Sequence, residues 1–307
     1  MGWNEDRLHR WLAGRERPRS LVGSPQHDAA VLSSLGSART VTCTDQVIEG
    51  VHVERDVSPG RAGAKAVLRT LSDLAATAAV PRFVLLTVRC SSEREDRFVR
   101  GLITGAAKAA EQMGAELVGG DLAEAPGPFG MTVTAIGSLA GARRPVGRDR
   151  GQVGQALVST GSFGGSGLGR HLRPVPRLAA GQALWKAGAT AMIDVSDGLA
   201  KDLSRLASAS GLDARLDAVP LHRDARRAAK ASARTALEHA LFDGEDHELV
   251  ASLPEAAARR WLSEWPAGRR LGRLAKRSKP ARSQIFLPST DGSSVALESV
   301  GGYVHGS

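Results

Sequence analysis

Apolar runs and amphipathic stretches alternate along the first half of the chain. Residues 39–44 and 83–88 are apolar and β-branched, which predicts two strands. One face of the helix predicted between them, 62–79, carries the apolar residues Val67, Leu71, Leu74, Ala75 and Ala78. Residues 98–113 predict a second helix, with Gly114 marking its C-terminal end. Strands that alternate with helices in this way predict a layered α/β fold.

The alternation resumes in the second half, after the polar and arginine-rich stretch 142–150. There, residues 155–160 and 192–193 predict strands. One face of the helix that follows carries Leu199, Leu203, Leu206 and Ala207. We place a domain boundary in the polar stretch and predict two domains, residues 1–142 and 143–307. The predicted fold class is therefore α/β (α+β) in two domains.

Bulk composition narrows the class of protein. Hydrophobic residues make up 42% of the 307 residues, which is typical of a globular chain rather than a disordered one. The amino terminus has no apolar signal core, and no later run approaches the roughly 18 apolar residues that a membrane span needs. We therefore expect a cytoplasmic protein with no membrane partner. Cys43 and Cys90 lie in or beside apolar runs and are expected to be buried free thiols.

An excess of basic residues gives the chain a formal charge of +9, which favours anionic partners. Arginine is concentrated in two stretches that we interpret as helical, 223–234 and 269–282. Such stretches are explained by a basic helix face that is exposed to solvent. Aromatic residues make up only 4% of the chain, so platforms for base stacking are scarce. The composition therefore favours phosphorylated metabolites over nucleic acid.

Short acidic elements recur at the ends of predicted strands and helices. They are Asp28, Thr44-Asp45, Ser72-Asp73, Gly120-Asp121, Asp194-Val195-Ser196-Asp197 and Asp243-Gly244-Glu245-Asp246. Each carboxylate alone has a structural explanation in a turn or a helix cap. Several, however, follow an apolar run and precede glycine or a helix start, which predicts positions along one ligand-binding edge of a sheet. Clustered carboxylates repel one another unless cations neutralise them, and such oxygen donors suit Mg²⁺ bound to phosphates.

The glycine-rich segment 161–169 offers a second kind of phosphate contact, because it lets backbone N–H groups approach an anion. It is not a P-loop, since the chain contains no G-x-x-x-x-G-K-[ST] motif. A tight loop explains the segment at least as well.

The acidic elements and their neighbours form an ordered series of motifs. The series is Asp28, Thr44-Asp45, Glu49-Gly50-Val51-His52, Ser72-Asp73-Leu74-Ala75-Ala76, Gly119-Gly120-Asp121, Asp194-Val195-Ser196-Asp197-Gly198 and Gly244-Glu245-Asp246-His247-Glu248-Leu249. This series resembles the thiamine-monophosphate kinase family, and the resemblance extends from about Asp28 to Tyr303. Several motifs in the right order are a more specific signal than any single one of them.

The resemblance implies a fold shared with aminoimidazole-ribonucleotide synthetase and selenophosphate synthetase. In that fold an N-terminal mixed sheet with helices pairs into a β-barrel across a homodimer. A C-terminal α/β domain completes the ATP and substrate cleft. The implied reaction transfers the γ-phosphoryl group of ATP, with Mg²⁺, to thiamine monophosphate and yields thiamine diphosphate.

The resemblance also implies roles for individual residues. Metal binding would fall to Asp28, Thr44, Asp45, Asp73, Asp121, Asp194 and Asp197. The expected catalytic residues are Asp45, Asp73, Asp121 and Asp194, and the expected ATP contacts are Gly120, Asp121, Arg148 and Ser196. His52, Glu245 and Tyr303 would face the thiamine moiety. Tyr303 is the only tyrosine of the chain, and stacking on an aromatic cation is a physical use for it.

The chain departs from the family pattern at several positions. His27 stands where a carboxylate is usual, Cys43 replaces a serine or threonine, and Gln155 stands where an aspartate is common. Asp243 replaces a glycine. The first two changes bear on the number and affinity of the metal ions.

Two other functions stay open on the sequence. The first is another ATP-dependent enzyme of the same fold, resembling aminoimidazole-ribonucleotide synthetase, although the element at 244–246 and Tyr303 favour the kinase. The second is a non-catalytic basic relative that binds nucleotide or nucleic acid. The charge of +9 favours that relative, and the acidic residues oppose it, because carboxylates repel a phosphate backbone.

Overall fold

Two β-sheets and the helices packed on them make up the computed structural model, which describes residues 30–32, 39–139, 145–279, 283–288, 293–297 and 301–303. The first half contains strands β1 (Ala30–Leu32), β2 (Arg39–Ile48), β3 (Val80–Cys90), β4 (Glu116–Glu124) and β5 (Gly130–Leu139), and helices α1 (Pro59–Ala76) and α2 (Asp96–Gln112). The second half begins with β6 (Ala156–Ser159), α3 (Leu178–Ala187), β7 (Ala191–Asp194), α4 (Leu199–Ala209) and β8 (Leu212–Leu216). It continues with α5 (Arg223–Ala229), α6 (Ala236–Phe242), β9 (Leu249–Leu253), α7 (Glu255–Glu264), β10 (Arg269–Lys276), β11 (Ile285–Pro288) and β12 (Ser294–Ala296).

The first sheet has the strand order β1-β2-β5-β3-β4, in which only β3 and β4 run parallel. Side chains alternate along β2, so that Val41, Cys43 and Val47 are buried on one face. Helix α1 begins with Pro59 in its first turn, where a missing N–H costs nothing, and its Val67 and Leu71 are fully buried. These apolar faces pack together and form the core of the first half.

Glycines let α1 and α2 lie in close contact. A Cβ atom on Gly63 would lie 2.0 Å from the carbonyl oxygen of Leu102, and one on Gly105 would lie 2.0 Å from that of Gly60. Any larger residue at either position would therefore push the two helices apart.

The second sheet has the order β12-β11-β8-β10-β6-β9-β7 and is antiparallel except between β11 and β8. Helix α1 also packs against this half, since Gly181 of α3 would bring a Cβ to 2.1 Å from the carbonyl oxygen of Ala75. The core of the first half continues without a break into Met192 and Leu249 of the second. Helix α1 is therefore the element through which the two halves meet.

Several expectations from the sequence are corrected by this topology. Because most strand pairs are antiparallel, the acidic residues do not line one edge of a sheet, and Asp45 and Asp121 lie within β2 and β4. The stretch 269–282 was expected to be helical, and this is wrong, because Arg269–Lys276 forms a central strand. The predicted boundary between residues 142 and 143 lies outside the described residues.

Two further expectations concern cysteines and membranes. Cys43 and Cys90 are buried free thiols, as predicted. None of the described helices combines the length and the apolar character that crossing a membrane requires.

Candidate active site

Three carboxylates from different elements interact electrostatically where the two halves meet, and we call them the carboxylate cluster. Asp45 lies in β2, Asp73 in α1 and Asp194 at the end of β7. Burial, then the charges of Asp45 and Asp194, raise the pKa of Asp73 well above its usual value. Burial also raises the pKa of Asp45, against the opposing charge of Arg69. Negative charge in this region is therefore only partly neutralised.

Asp194 differs from the other two, because polar neighbours keep it ionised. Burial alone would raise the pKa of Asp194, but His247, Ser72 and Arg148 together outweigh burial and lower it. Ser72 Oγ donates to Asp194 Oδ2 at 2.7 Å. His247 Nδ1 lies 3.6 Å from the same oxygen. Asp194 is thus a fixed negative charge beside two carboxylates that resist ionisation.

Asp202 of α4 shapes the loop that carries Ser196 and Asp197. Its Oδ2 accepts the N–H groups of Ser196 at 3.0 Å and Asp197 at 2.8 Å. Burial and the charge of Asp197 raise the pKa of Asp202 to about 7. Arg205 and Lys201 lie 2.7 and 3.1 Å from Asp197 Oδ2, so this carboxylate is already paired with cations.

Arg148 brings a positive charge to the same loop. Burial lowers the pKa of Arg148, and the charges of Asp202, Asp194 and Asp197 oppose that change. Two of the expected ATP contacts, Arg148 and Ser196, therefore lie in one region with Asp194 and Asp197.

The other expected ATP contacts lie on β4, an edge strand of the first sheet. Asp121 is exposed there, and β4 is three strands from β2, which corresponds to about 14 Å of sheet. Gly120 is required by close packing, because a Cβ would lie 1.7 Å from the carbonyl oxygen of Leu86. Within one chain, Asp121 is thus separated from the carboxylate cluster.

One expected metal ligand, Thr44, also lies apart from the cluster. Thr44 is exposed and precedes Asp45 in β2, so its side chain points to the other face of the sheet. Thr44 Oγ1 donates to the carbonyl oxygen of Val133 at 3.1 Å. Asp28 lies outside the described residues.

The donor chemistry of the cluster fits Mg²⁺, although the ligands are not preassembled. Within the described ranges, no three His, Cys, Asp or Glu side chains converge closely enough to hold a metal ion. The oxygens of the half-buried Asp45 and Asp73 and of the buried Asp194 nevertheless repel one another, and a hard cation that keeps several of its waters would relieve that repulsion. Cys43 adds no thiolate, because burial raises the pKa of its thiol.

A cavity of about 1040 Å³ opens beside the cluster and is lined by loops from both halves. His52, Glu245 and Tyr303, the three residues expected to face the thiamine moiety, all line it. Arg69 of α1 connects the cavity with the cluster. Its guanidinium lies 3.6 Å from Asp45 Oδ1 and 4.0 Å from Glu245 Oε1.

Backbone hydrogen bonds hold the residues of the cavity in place. His52 Nδ1 accepts the N–H of Ile48 at 3.1 Å, so a neutral His52 ring carries its proton on Nε2. The N–H of Glu245 donates to the Ser196 carbonyl at 2.7 Å, and that of Tyr303 donates to the Asp197 carbonyl at 3.1 Å. The loop after β7 therefore supports two sides of the cavity.

The glycine-rich segment is a tight loop in which the N–H groups of Gly164 and Gly165 are already in use. Gly164 donates to Asp246 Oδ1 at 2.9 Å, and Gly165 donates to Asp243 Oδ2 at 2.8 Å. Arg170 also lies 2.8 Å from Asp246 Oδ1. Of the two explanations open on the sequence, these bonds favour the tight loop over a phosphate cradle.

Sequence reasoning missed three charged or titratable residues of the site. Lys65 and Arg69 precede Asp73 by eight and four residues, so helical spacing places all three on one face of α1. That signal was available in the sequence. His247 gave no such signal, because its position beside Asp194 depends on a left-handed backbone at φ +52°.

Comparison with known proteins identifies relatives over nearly the whole chain. Residues 26–139 match the family AIR synthase related protein, N-terminal domain, and residues 148–282 match AIR synthase related protein, C-terminal domain. The chain is 35% identical to the thiamine-monophosphate kinase of Rhodopirellula baltica over 96% of this chain and 95% of that protein. It is 36% identical to that of Mycobacterium tuberculosis over 80% and 78% of the two chains.

Solved structures also match this chain over most of its length. AaThiL complexed with AMPPCP and TMP has a TM-score of 0.81 at 26% identity, over 98% of this chain and 95% of that one. The thiamine monophosphate kinase of Aquifex aeolicus has a TM-score of 0.77 at 26% identity, over 94% and 96% of the two chains. Hydrogenase maturation protein HypE, at 22% identity and a TM-score of 0.72, shows the fold alone.

Proposed function

The chain belongs to the thiamine-monophosphate kinase family and is an ATP-dependent kinase, and we propose that it phosphorylates thiamine monophosphate to thiamine diphosphate. The structure that resembles it over 98% of its length holds TMP and AMPPCP, an ATP analogue. The observation that carries the proposal is the contact between two regions. Mutually repelling carboxylates, suited to metal-bound polyphosphate, adjoin a cavity large enough for an organic acceptor.

The acceptor phosphate needs little help from a general base. A phosphomonoester loses its second proton with a pKa of about 6, so the attacking oxygen is ionised near neutral pH. The harder task is to bring two anionic phosphate groups together in line. Positioning and charge neutralisation therefore carry most of the catalysis that we propose.

The negatively charged cluster can help to bring the two phosphate groups together only when it binds a cation. Bound Mg²⁺ supplies charge neutralisation to the phosphate oxygens. We propose that Asp45, Asp73 and Asp194 hold it. The family pattern adds Asp28, Thr44, Asp121 and Asp197 to this set, and of these Thr44 and Asp121 lie apart from the cluster within one chain. Arg148 and Ser196 would orient the nucleotide phosphates, with Gly120 and Asp121 as further contacts. Arg69 would neutralise charge between cluster and cavity.

We further propose direct transfer between the two substrates without a phosphorylated enzyme. No side chain is needed as a nucleophile when the acceptor is itself an ionised oxygen. Rapid acid quenching during turnover with γ-labelled ATP tests this step, and label retained on the denatured protein would rule out direct transfer.

We propose a homodimer in the cytoplasm as the working form, because the substrate ATP is used there and the first sheet has an apolar outer region. β3 and β4 expose Phe83, Leu85, Val118 and Leu122, a set that a second subunit would cover. Light scattering after size exclusion should give twice the chain mass, and an aspartate in place of Leu85 should shift it to the monomer.

Substrate choice is the decisive experiment for the reaction. Magnesium-dependent ADP release should be measured with thiamine monophosphate, with thiamine and with an aminoimidazole precursor, and the product should be identified. We expect thiamine diphosphate from the first and no product from the other two. A closed imidazole ring from the third would identify an aminoimidazole-ribonucleotide synthetase instead.

A further inference from the structure

A fully buried lysine joins two residues that line the cavity. Lys65 lies in α1, and none of its side chain is exposed. Its Nζ lies 2.7 Å from Glu245 Oε1 and donates to the backbone carbonyl of His52 at 2.5 Å. One ammonium group thus connects the loop after β2, in the first half, with the loop before β9, in the second.

Burial makes this connection costly to break. Burial lowers the pKa of Lys65, and the charge of Glu245 opposes that change. Burial would raise the pKa of Glu245, but Lys65, His247 and Arg69 together outweigh burial and lower it. Removal of one member of a buried ion pair leaves an uncompensated charge in a medium of low dielectric constant. Both acceptors are therefore held firmly around the ammonium.

The direction of the Glu245 carboxylate depends on this contact. Glu245 has a left-handed backbone at φ +51°, which is uncommon for a residue other than glycine. Its N–H is fixed to Ser196, so the loop sets the start of the side chain. The ammonium of Lys65 then fixes Oε1, while part of the Glu245 side chain is exposed toward the cavity.

On the basis of the proposed function, we propose that Lys65 is a positioning residue for the phosphoryl acceptor. It aims the Glu245 carboxylate at the positively charged ring of a cationic heteroaromatic monophosphate. It also holds the His52 loop, on the other half, at the matching distance. Lys65 itself is buried behind these residues and acts through them without touching the substrate.

The inference is tested by measuring the affinity for each of the two substrates separately. Lys65→Met keeps the length of the side chain and removes its charge. Calorimetry without ATP should show the dissociation constant for thiamine monophosphate raised by at least about tenfold, which is a loss of about 1.4 kcal/mol. The dissociation constant for AMPPCP with Mg²⁺ should stay within about twofold of the wild type. Lys108→Met, on the exposed face of α2, is the matched control and should change neither constant.

A double-mutant cycle separates positioning from general loosening of the fold. In a Glu245→Ala background, Lys65→Met should lower the affinity for thiamine monophosphate by less than it does in the wild type, because one of the two contacts of Lys65 is already gone. The double variant also buries no unpaired charge, so it serves if Lys65→Met alone does not fold. A loss caused by Lys65→Met that is as large in the Glu245→Ala background as in the wild type, or equal losses for both ligands in Lys65→Met, would overturn the inference.

The wild-type enzyme distinguishes this inference from the function on which it rests. If wild type phosphorylates thiamine monophosphate and folded Lys65→Met binds it normally, the inference alone is wrong. If wild type neither binds nor phosphorylates thiamine monophosphate, the proposed function fails, and the inference fails with it.

Discussion

Carboxylates repel one another in the carboxylate cluster, whereas in the cavity beside it a carboxylate is paired with a cation. In the cluster, Asp45 and Asp73 face a third carboxylate, and their pKa values are raised by burial and repulsion. In the cavity, the acid Glu245 is paired with Lys65 at 2.7 Å, and its pKa is lowered. The uncompensated negative charge of the cluster indicates a binding site for a cation that enters together with the nucleotide. Compensated charge indicates a surface already shaped for its ligand.

Of the two regions, only the carboxylate cluster lowers the stability of the protein without its ligands. Like charges that are buried together destabilise the native state until a cation joins them. A buried ion pair with good geometry holds its partners without an added ligand. The contrast predicts that substitutions in the cluster will lower turnover and raise stability. Substitutions in the cavity should weaken the binding of one substrate and leave that of the other unchanged.

The largest effect is expected from Asp73→Asn. Loss of this carboxylate should lower turnover by about 1000-fold, because it removes a charge that we assign to holding Mg²⁺. The same change relieves repulsion with Asp45 and Asp194, so the unfolding temperature without Mg²⁺ should rise. ADP release and thermal unfolding, measured on the same preparation, check the two signs, and turnover near that of wild type would contradict the assignment.

A smaller loss is expected from Asp121→Asn, which extends the comparison to the edge of the first sheet. If the family pattern holds, turnover should fall by about 100-fold. The unfolding temperature should not rise, because Asp121 is exposed and has no buried charge to relieve. Full activity in this variant would remove Asp121 from the proposed metal and ATP contacts.

In the cavity, Tyr303→Ala should raise the KM for thiamine monophosphate by about tenfold, because stacking on a cationic ring is worth about 1 kcal/mol or more. Tyr303→Phe keeps the ring and should stay close to wild type. The KM for ATP should change little in both variants. Steady-state kinetics with each substrate varied in turn decide the point, and an equal rise in both KM values would argue against a cavity reserved for the acceptor.

The smallest effect is expected from Asp246→Asn, which should leave turnover intact. Burial raises the pKa of Asp246 to about 6, against the charge of Arg170 and the N–H of Gly164. Since the folded state binds this proton more tightly than the unfolded chain, the contribution of Asp246 to stability is present below about pH 4 and is lost as the pH rises through about 6. The advantage of wild type over the variant in the free energy of unfolding should therefore shrink by roughly 2 kcal/mol between pH 4 and pH 7. Urea unfolding at several pH values tests the sign, and a pH-independent difference would refute it.

Local periodicity was enough to predict the helices α1 and α2 and the strands β2 and β3 of the first half. The helix expected at 62–79 is Pro59–Ala76, and the strand expected at 83–88 is Val80–Cys90. The error at β10 also has a local cause, because Leu271 and Leu274 are three residues apart and imitate one face of a helix. Both leucines are buried in a central strand instead, where pairing with two neighbouring strands outweighs that spacing.

The carboxylate cluster could be expected only from the order of the motifs. Asp45, Asp73 and Asp194 are brought together by the packing of α1 between the two halves, and no local pattern encodes that contact. The expectation of a single edge was wrong because it assumed parallel strands. Lys65 escaped notice for a different reason, since a lysine on a helix normally indicates a solvent-exposed face.

Binding of each ligand in the absence of turnover tests the division between cluster and cavity most directly. Asp73→Asn and Tyr303→Ala should each be titrated by calorimetry with AMPPCP plus Mg²⁺, and with thiamine monophosphate without metal. We expect Asp73→Asn to lose the nucleotide and keep the acceptor, and Tyr303→Ala to do the reverse. Loss of both ligands to the same extent in both variants would show that the two regions form one undivided site and would contradict this account.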